Sequence, residues 1–163
     1  MLGSLGGSKM RTIFLTLLLL ILTSPAFSES ILTAVCEEPG GVRFDFVNGK
    51  INTSPDGFSG VNPSFIVIKD KPKKLIVIWG AAKIGDIQPP ANAKEVDIVS
   101  ITKNQITALE VAPTGDAVIM YSVYPQKGIV YMTQHRYLTI GGTDSSGTPN
   151  NASYYCKCTV SMK

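Results

Sequence analysis

The sequence predicts an all-β fold, an antiparallel barrel or sandwich of about eight or nine strands. After the N-terminal region, short runs rich in Val, Ile, Phe and Tyr are separated by clusters of Gly, Pro, Asn and Asp, which are typical turn residues. The same region lacks the 3.6-residue apolar periodicity of a long helix. Because the connections are short and sequential, an up-and-down meander that closes into a barrel is favoured over a sandwich.

The N-terminal residues predict a cleaved export signal. Basic residues precede an apolar run at 13–22, and the small residues that end at Ser28 suit a signal peptidase. The run is too short for a membrane anchor, which needs roughly 20 apolar residues. We therefore expect a signal peptide over residues 1–28 and a single all-β domain over residues 29–163. The mature protein is expected to be periplasmic or secreted, with no membrane span after cleavage.

The first predicted strand of the mature chain covers residues 42–47. Its apolar and charged side chains alternate, which places Val42, Phe44 and Phe46 on the core side of a half-buried strand. An Asn-Gly turn follows it. Residues 50–63 contain several Pro and Gly turn signals and are predicted to form a loop.

The remaining strands are predicted from β-branched and aromatic runs. They cover residues 65–68, 75–79, 96–101, 105–111, 117–124, 129–137 and 154–160. Trp79, the only tryptophan, ends an apolar strand and is expected to form a wall of the core. Residues 80–94 are interpreted as a crossing loop that has room for one helical turn, and residues 141–151 as an exposed loop.

Three cysteines follow the signal: Cys36 near the mature start, and Cys156 and Cys158 near the end. In an oxidising compartment at least one pair is expected to be bridged, which would tie the chain ends together. Because residues two apart on a strand point to the same side, Cys156 and Cys158 compete for Cys36. We favour Cys36–Cys158 and leave Cys36–Cys156 open. The third cysteine is interpreted as a buried thiol, with intermolecular pairing as the alternative.

The charge balance argues against a nucleic-acid partner. The signal carries two of the 15 basic residues and none of the 12 acidic ones, which leaves the mature chain nearly neutral. A nucleic-acid footprint requires a clearly basic face. A metal site is not expected either, because Cys-x-Cys with one remote cysteine and one histidine lacks the ligand spacing of zinc motifs.

His135 is the only histidine, and on its predicted strand it shares a face with Tyr131, Thr133 and Tyr137. We take Tyr131, His135 and Tyr137 as a candidate surface for a ligand or partner. The simpler interpretation is a sheet surface on which Tyr and Thr satisfy strand preference. No serine lies in a Gly-x-Ser-x-Gly elbow, and no glycine-rich segment has the form of a phosphate loop. We therefore expect no catalytic residue and no cofactor.

The tyrosines are concentrated in the last third of the chain, where they could line an internal cavity or an external partner surface. They are Tyr121, Tyr124, Tyr131, Tyr137, Tyr154 and Tyr155.

Several stretches carry a family resemblance: Cys36 followed by Pro-Gly-Gly at 39–41, Asp-Gly-Phe-Ser-Gly at 56–60, residues 122–128, and a closing aromatic-x-Cys pattern. Over most of its mature length the chain resembles small exported bacterial proteins of unknown function. The resemblance implies a periplasmic or secreted domain with an end-to-end disulfide, and it brings no catalytic residues. Cys156 departs from the simpler two-cysteine pattern.

Together these features predict a non-catalytic binding or interaction module of the bacterial cell envelope, whose partner is an envelope protein or a small ligand. The alternative is a lipocalin-like carrier of a small apolar ligand, in which Met120 and Tyr131 would take part in binding. An envelope enzyme that uses His135 is the third hypothesis.

Overall fold

The computed structural model describes residues 29–80, 93–138 and 148–163. Within them, ten strands follow one another along the chain. They are β1 (Ser30–Cys36), β2 (Gly40–Val47), β3 (Lys50–Gly57), β4 (Ser64–Ile68), β5 (Lys74–Ile78), β6 (Lys94–Ile101), β7 (Ile106–Val111), β8 (Ala117–Tyr124), β9 (Ile129–Leu138) and β10 (Thr148–Met162). The predicted signal peptide and most of the predicted loops at 80–94 and 141–151 lie outside these ranges.

Eight of the strands form a closed antiparallel barrel. Their order is β1-β4-β5-β6-β7-β8-β9-β10, and β10 pairs again with β1. The β2–β3 hairpin is an additional element, because β2 pairs with the first part of β10 while β1 pairs with its last part. The predicted all-β barrel is therefore confirmed, and apart from this hairpin its strands follow one another in chain order around the barrel.

Tight turns join several of these strands. Asn48 and Gly49 both have positive φ, 53° and 74°, as expected for the two-residue hairpin turn between β2 and β3. A single 3₁₀ turn over Pro125–Lys127 and the left-handed Gly128 connect β8 to β9. These Asn-Gly and Pro-x-x-Gly sequences are the signals from which the sequence predicts reversals.

Two strands are absent from the sequence prediction. β1 is one of them, and the other is β3, which occupies most of the predicted loop at 50–63. The loop prediction was wrong because β3 is held by pairing rather than by propensity: its polar residues form a complete ladder with β2, from Lys50 opposite Val47 to Gly57 opposite Gly40. β10 also begins earlier than predicted, at Thr148.

The orientation predicted for β2 was wrong. Val42, Phe44 and Phe46 are 37–42% exposed, whereas Arg43 and Asp45 point to the inside. The register explains the inversion, since Arg43 lies opposite Ala152 and Asp45 opposite Asn150, and both partners are buried. Polar groups occupy the part of the interior next to β2, so Arg43 and Asp45 face inward and their apolar neighbours face outward.

The other part of the interior is an apolar core. Its largest fully buried side chains include Phe65, Leu75, Val77, Tyr121, Val123, Val130 and Met132. β4 and β5 are buried on both faces, because Ile66, Ile76 and Ile78 form a second small apolar cluster on the side away from the main core. Trp79 is partly buried against the main core.

The chain ends meet on neighbouring strands. Cys36 of β1 lies directly opposite Cys158 of β10, and a disulfide joins them. This is the pairing that the sequence favours, and it lies on the strand pair that closes the barrel. Across the described ranges, no helix has the length and apolar character needed to span a membrane.

Candidate functional site

The barrel interior contains a cavity of about 320 Å³, at the end where β6, β8 and β10 begin. Ligand pockets in proteins typically enclose roughly 300–1,000 Å³, so the size suits a small molecule. The charged lining residues are Arg43, Asp56, Lys94, Glu110 and Arg136. The apolar and aromatic lining residues are Phe58, Trp79, Ile119, Tyr121, Met132 and Tyr154.

A hydrogen-bonded network crosses one wall of the cavity, through β9, β10, β2 and β3. Arg136 Nε donates to Asn150 Oδ1 at 3.3 Å, and the Asn150 amide donates to Asp45. Arg43 Nε donates to Asp45 Oδ2 at 2.9 Å. Asn150 is 2% exposed, so this amide is a fixed link between the two arginines. The wall therefore holds both guanidinium groups in defined positions.

The same wall continues onto β3. Arg43 Nη1 lies 3.8 Å from Asp56 Oδ2, and the Tyr154 hydroxyl donates to that carboxylate oxygen at 2.8 Å. The pKa of Tyr154 is raised to about 12, by burial first and then by the hydrogen bond to Asp56. Tyr154 is therefore a neutral donor at physiological pH, and Asp56 is occupied on both sides by protein groups.

A second polar cluster of the cavity lining comes from β6, β7 and β8. Tyr121 donates to Glu110 Oε2 at 3.0 Å, and the Lys94 ammonium pairs with the other oxygen of the same carboxylate. Burial, followed by the proximity of Glu110, raises the pKa of the Tyr121 hydroxyl above its ordinary value. Glu110 therefore has one cationic and one neutral donor.

Arg136 differs from the other cations in this site. Lys94 pairs with Glu110, and Arg43 pairs with Asp45 and Asp56. Among the residues that the structure describes, Arg136 has no carboxylate within ion-pair distance, and its hydrogen-bond partner is the neutral amide of Asn150. A guanidinium carries five N–H donors, and its planar fork matches carboxylate and phosphate groups. Within the described residues, Arg136 is therefore the one cation of the lining that is not paired with a carboxylate.

Aromatic rings provide the apolar part of the site. Phe58 packs against Trp79 and Tyr154, with ring centroids 5.1 and 4.8 Å apart. The sequence predicted Trp79 to be a core wall, and it is one, but the same residue also lines the cavity. A ligand held by Arg136 would therefore have aromatic surface within the same cavity.

The candidate surface predicted from the sequence lies elsewhere, on the outside of the barrel. Tyr131, His135 and Tyr137 share the outer face of β9, as their spacing predicts, and are all exposed. The hydrogen-bond partner of His135 is the amide oxygen of Asn151, 3.0 Å from Nδ1. This partner holds the ring in place without adding the negative charge that a catalytic histidine commonly uses.

The tyrosines of the last third are divided between the two faces. Tyr121 and Tyr154 point into the barrel and line the cavity. Tyr131 and Tyr155 lie outside, where Tyr131 also makes an edge-to-face contact with Tyr124. Tyrosines of the last third of the chain therefore line the cavity and also lie on the outer face of the barrel.

Cys156 is a free thiol inside the barrel, 2% exposed. Burial raises its pKa to about 12, with a smaller effect from the charge of Glu37. A protonated thiol is a poor nucleophile. This residue fits the buried-thiol interpretation.

The inward arginines were missed because strand periodicity gives two faces without saying which one is inside. Gln134 and Arg136 alternate with Tyr131, Thr133 and His135, and the sequence pattern separates the two sets correctly. The available signal was Met132, which belongs to the same set as Arg136 and is buried in the core.

A comparison with protein-family models, curated proteins and solved structures finds no match to this chain.

Proposed function

We propose that this protein is an exported, non-catalytic binding protein whose barrel cavity holds a small polar ligand through an anionic group on that ligand. The observation that carries the proposal is Arg136, a cavity-lining guanidinium whose described hydrogen-bond partner is a neutral amide. A carboxylate or phosphate group is the complement of this donor set. The mixed lining favours such a ligand over the purely apolar cargo of a lipocalin-like carrier.

Export is part of the proposal. It is supported by the signal-like N-terminal sequence and by the Cys36–Cys158 disulfide, since disulfides persist mainly in oxidising compartments. A periplasmic or secreted protein that retains a small ligand fits both features.

Native mass spectrometry of protein purified from the export compartment tests the proposal. We expect the native mass to exceed the denatured mass by one small molecule that contains a carboxylate or phosphate. The denatured chain should begin at Glu29 and be two hydrogens lighter than the reduced chain. Arg136→Gln should weaken retention by about 10- to 100-fold, the loss of one charge-assisted hydrogen-bond set.

The matched control is Lys127→Gln, which removes an exposed positive charge from the β8–β9 turn, away from the cavity lining. This variant should retain the ligand as the wild type does. A neutral apolar cargo, or equal retention by wild type and Arg136→Gln, would refute the anionic-ligand proposal. A bare native protein would count against a tightly held ligand.

Partner binding on the outer face of β9 and β10 is the second candidate function. The observation in its favour is the exposure of Tyr131, Tyr137 and Tyr155, which are 46–53% exposed. Exposed tyrosines are enriched in protein interfaces. Tyr131→Ser should abolish recovery of an envelope partner in a pull-down and leave ligand retention unchanged; unchanged partner recovery would remove this surface from consideration.

A further inference from the structure

The fold gathers all three cysteines of the chain into one cluster. Cys156 and Cys158 are two residues apart on β10, and Cys36 lies directly opposite Cys158 on β1. The three sulfur atoms all lie within 4.8 Å of one another. The strand spacing predicts that Cys156 and Cys158 share a face and compete for Cys36, and the fold brings Cys36 to them although it is separated from Cys158 by 122 positions.

The size of the cluster matches a single metal ion. With metal–sulfur bonds of about 2.3 Å, three sulfurs arranged in a plane around an ion are about 4 Å apart. That spacing is close to the present one, since the three sulfur atoms already lie within 4.8 Å of one another. Cys36 and Cys156 are 3% and 2% exposed, so an ion held here would be largely shielded from water.

In the oxidised protein, the Cys36–Cys158 disulfide occupies two of the sulfurs and leaves one thiol. A dithiol reductant would transfer two electrons and two protons to this disulfide, giving two cysteine thiols while the reductant itself becomes a disulfide. The reduced cluster would then present three thiols on the same face of two paired strands.

We propose that reduction converts this cluster into a site for one soft metal ion, bound by the sulfurs of Cys36, Cys156 and Cys158. Soft cations such as Cu⁺ and Cd²⁺ prefer thiolate ligands. Binding displaces the protons of the ligating thiols and transfers no electron. The disulfide excludes the metal, so the oxidised protein holds none and the reduced protein holds one.

Cadmium titration of the reduced, full-length mature protein tests this proposal. The protein is reduced with a phosphine that is then removed under anaerobic conditions, and Cd²⁺ binding is followed by the ultraviolet cadmium–thiolate absorption. We expect a stoichiometry of one Cd²⁺ per chain. In the oxidised protein, the controls are the absence of this absorption and the presence of one free thiol.

Cys156→Ser isolates the third sulfur, since it leaves the two disulfide cysteines in place. We expect the Cd²⁺ affinity of the reduced protein to fall by more than roughly 100-fold. A residue that only hydrogen-bonds to a metal ligand typically contributes about 10- to 100-fold, so a larger loss indicates that Cys156 binds the metal directly. Cys156→Ala is the second variant, in case a buried hydroxyl prevents folding. Circular dichroism establishes that each reduced protein remains folded.

Equal affinity in wild type and both Cys156 variants would overturn the proposal, because binding would then involve only the former disulfide cysteines. Absence of one-to-one binding in the reduced wild type would also overturn it. If the reduced chain is unfolded, Cd²⁺ should restore the folded spectrum of the wild type and fail to restore that of the variants, since a ligand that binds only the native state stabilises it. Failure to restore the wild type would contradict the inference.

Discussion

In the proposed function, Arg136 is the residue of the cavity that recognises the ligand. Arg43 and Lys94 are largely neutralised by adjacent carboxylates, whereas the described partner of Arg136 is an amide. An amide orients the guanidinium without cancelling its charge. Under the proposed function, Arg136 would supply the charge that selects an acid group, and the aromatic residues of the lining would contact the rest of the ligand.

Tyr121→Phe should destabilise the protein by about 1–3 kcal/mol, because Glu110 loses a hydrogen bond in a half-buried position. Urea unfolding measures the change. Tyr155→Phe is the matched control, since Tyr155 is 53% exposed, and it should leave the free energy of unfolding nearly unchanged. Equal losses in the two variants would show that the Tyr121 hydroxyl has no specific role.

Alkaline pH should destabilise the fold through Cys156 and Tyr154. Folding raises both pKa values to about 12, from the ordinary 9.0 and 10.0 respectively. The folded state favours the protonated, neutral forms of both groups. Their contribution to the free energy of unfolding is therefore fully present below pH 9 and is progressively lost between pH 9 and 12. We expect the free energy of unfolding to fall across this window, and to fall less steeply in Cys156→Ala. An identical slope in both proteins would contradict the assignment to Cys156.

At the scale of single elements, β2 shows how a charged network can invert a strand. Its alternation is regular, and an apolar set facing inward is the usual outcome. Here Arg43 and Asp45 face Ala152 and Asn150 of β10 inside the barrel. Arg43 and Asp45 pair with each other on the cavity side of the strand, and Phe44 lies on the opposite, outer side.

Phe44→Ala and Phe65→Ala test this orientation as a pair. Phe44 is 39% exposed, whereas Phe65 is fully buried in the core. We expect a loss of about 1 kcal/mol or less for Phe44→Ala and about 3–5 kcal/mol for Phe65→Ala, measured by urea unfolding. A loss at Phe44 as large as that at Phe65 would restore the inward orientation that the sequence predicts.

Strands with strong local signals could be predicted from the sequence. β4 and β5 are continuous apolar runs, so both are predicted as strands, and both are buried in the structure. β3 could not be predicted, because its Asn, Thr, Ser and Pro residues disfavour strands locally and become ordered by pairing along all of β2. β1 was missed for lack of a distinct turn signal before it.

Only part of the candidate site could be predicted from the sequence. Strand alternation places Arg136 on the opposite face of β9 from Tyr131 and His135. Which of the two faces points into the barrel is decided by how the barrel closes. The charged residues of the cavity come from five strands, β2, β3, β6, β7 and β9, and the neutral Asn150 that bonds to Arg136 comes from β10. No local sequence pattern predicts that these residues lie together, because their positions depend on the register of every strand pair between them.

At the scale of the whole molecule, the barrel interior changes character along its axis. The part near the disulfide is packed with apolar side chains such as Val123 and Val130, and the opposite end holds the charged cavity. The apolar part and the β1–β10 closure provide stability, and under the proposed function the polar end would hold the ligand. The Cys36–Cys158 bridge reinforces closure by linking the first and last strands.

Removal of the bridge by Cys36→Ala together with Cys158→Ala should lower the free energy of unfolding by about 4–5 kcal/mol in the chain-entropy view, because the disulfide spans 122 positions. Denaturant unfolding of the oxidised wild type and the double variant measures the difference. Cys156→Ala is the control for loss of a buried sulfur, and its effect should be clearly smaller. A double variant as stable as the wild type would mean that strand pairing alone holds the barrel closed.

The most direct measurement of ligand binding uses Trp79, the only tryptophan, whose side chain lines the cavity. Its fluorescence is titrated with a panel of small carboxylates and phosphate esters, matched with neutral analogues of the same size. We expect a saturable change at one ligand per chain for at least one acid, no change with its neutral analogue, and a loss of affinity in Arg136→Gln that Lys127→Gln does not share. Binding of the neutral analogue with equal affinity, or unchanged binding in Arg136→Gln, would contradict recognition of an anionic group inside the barrel.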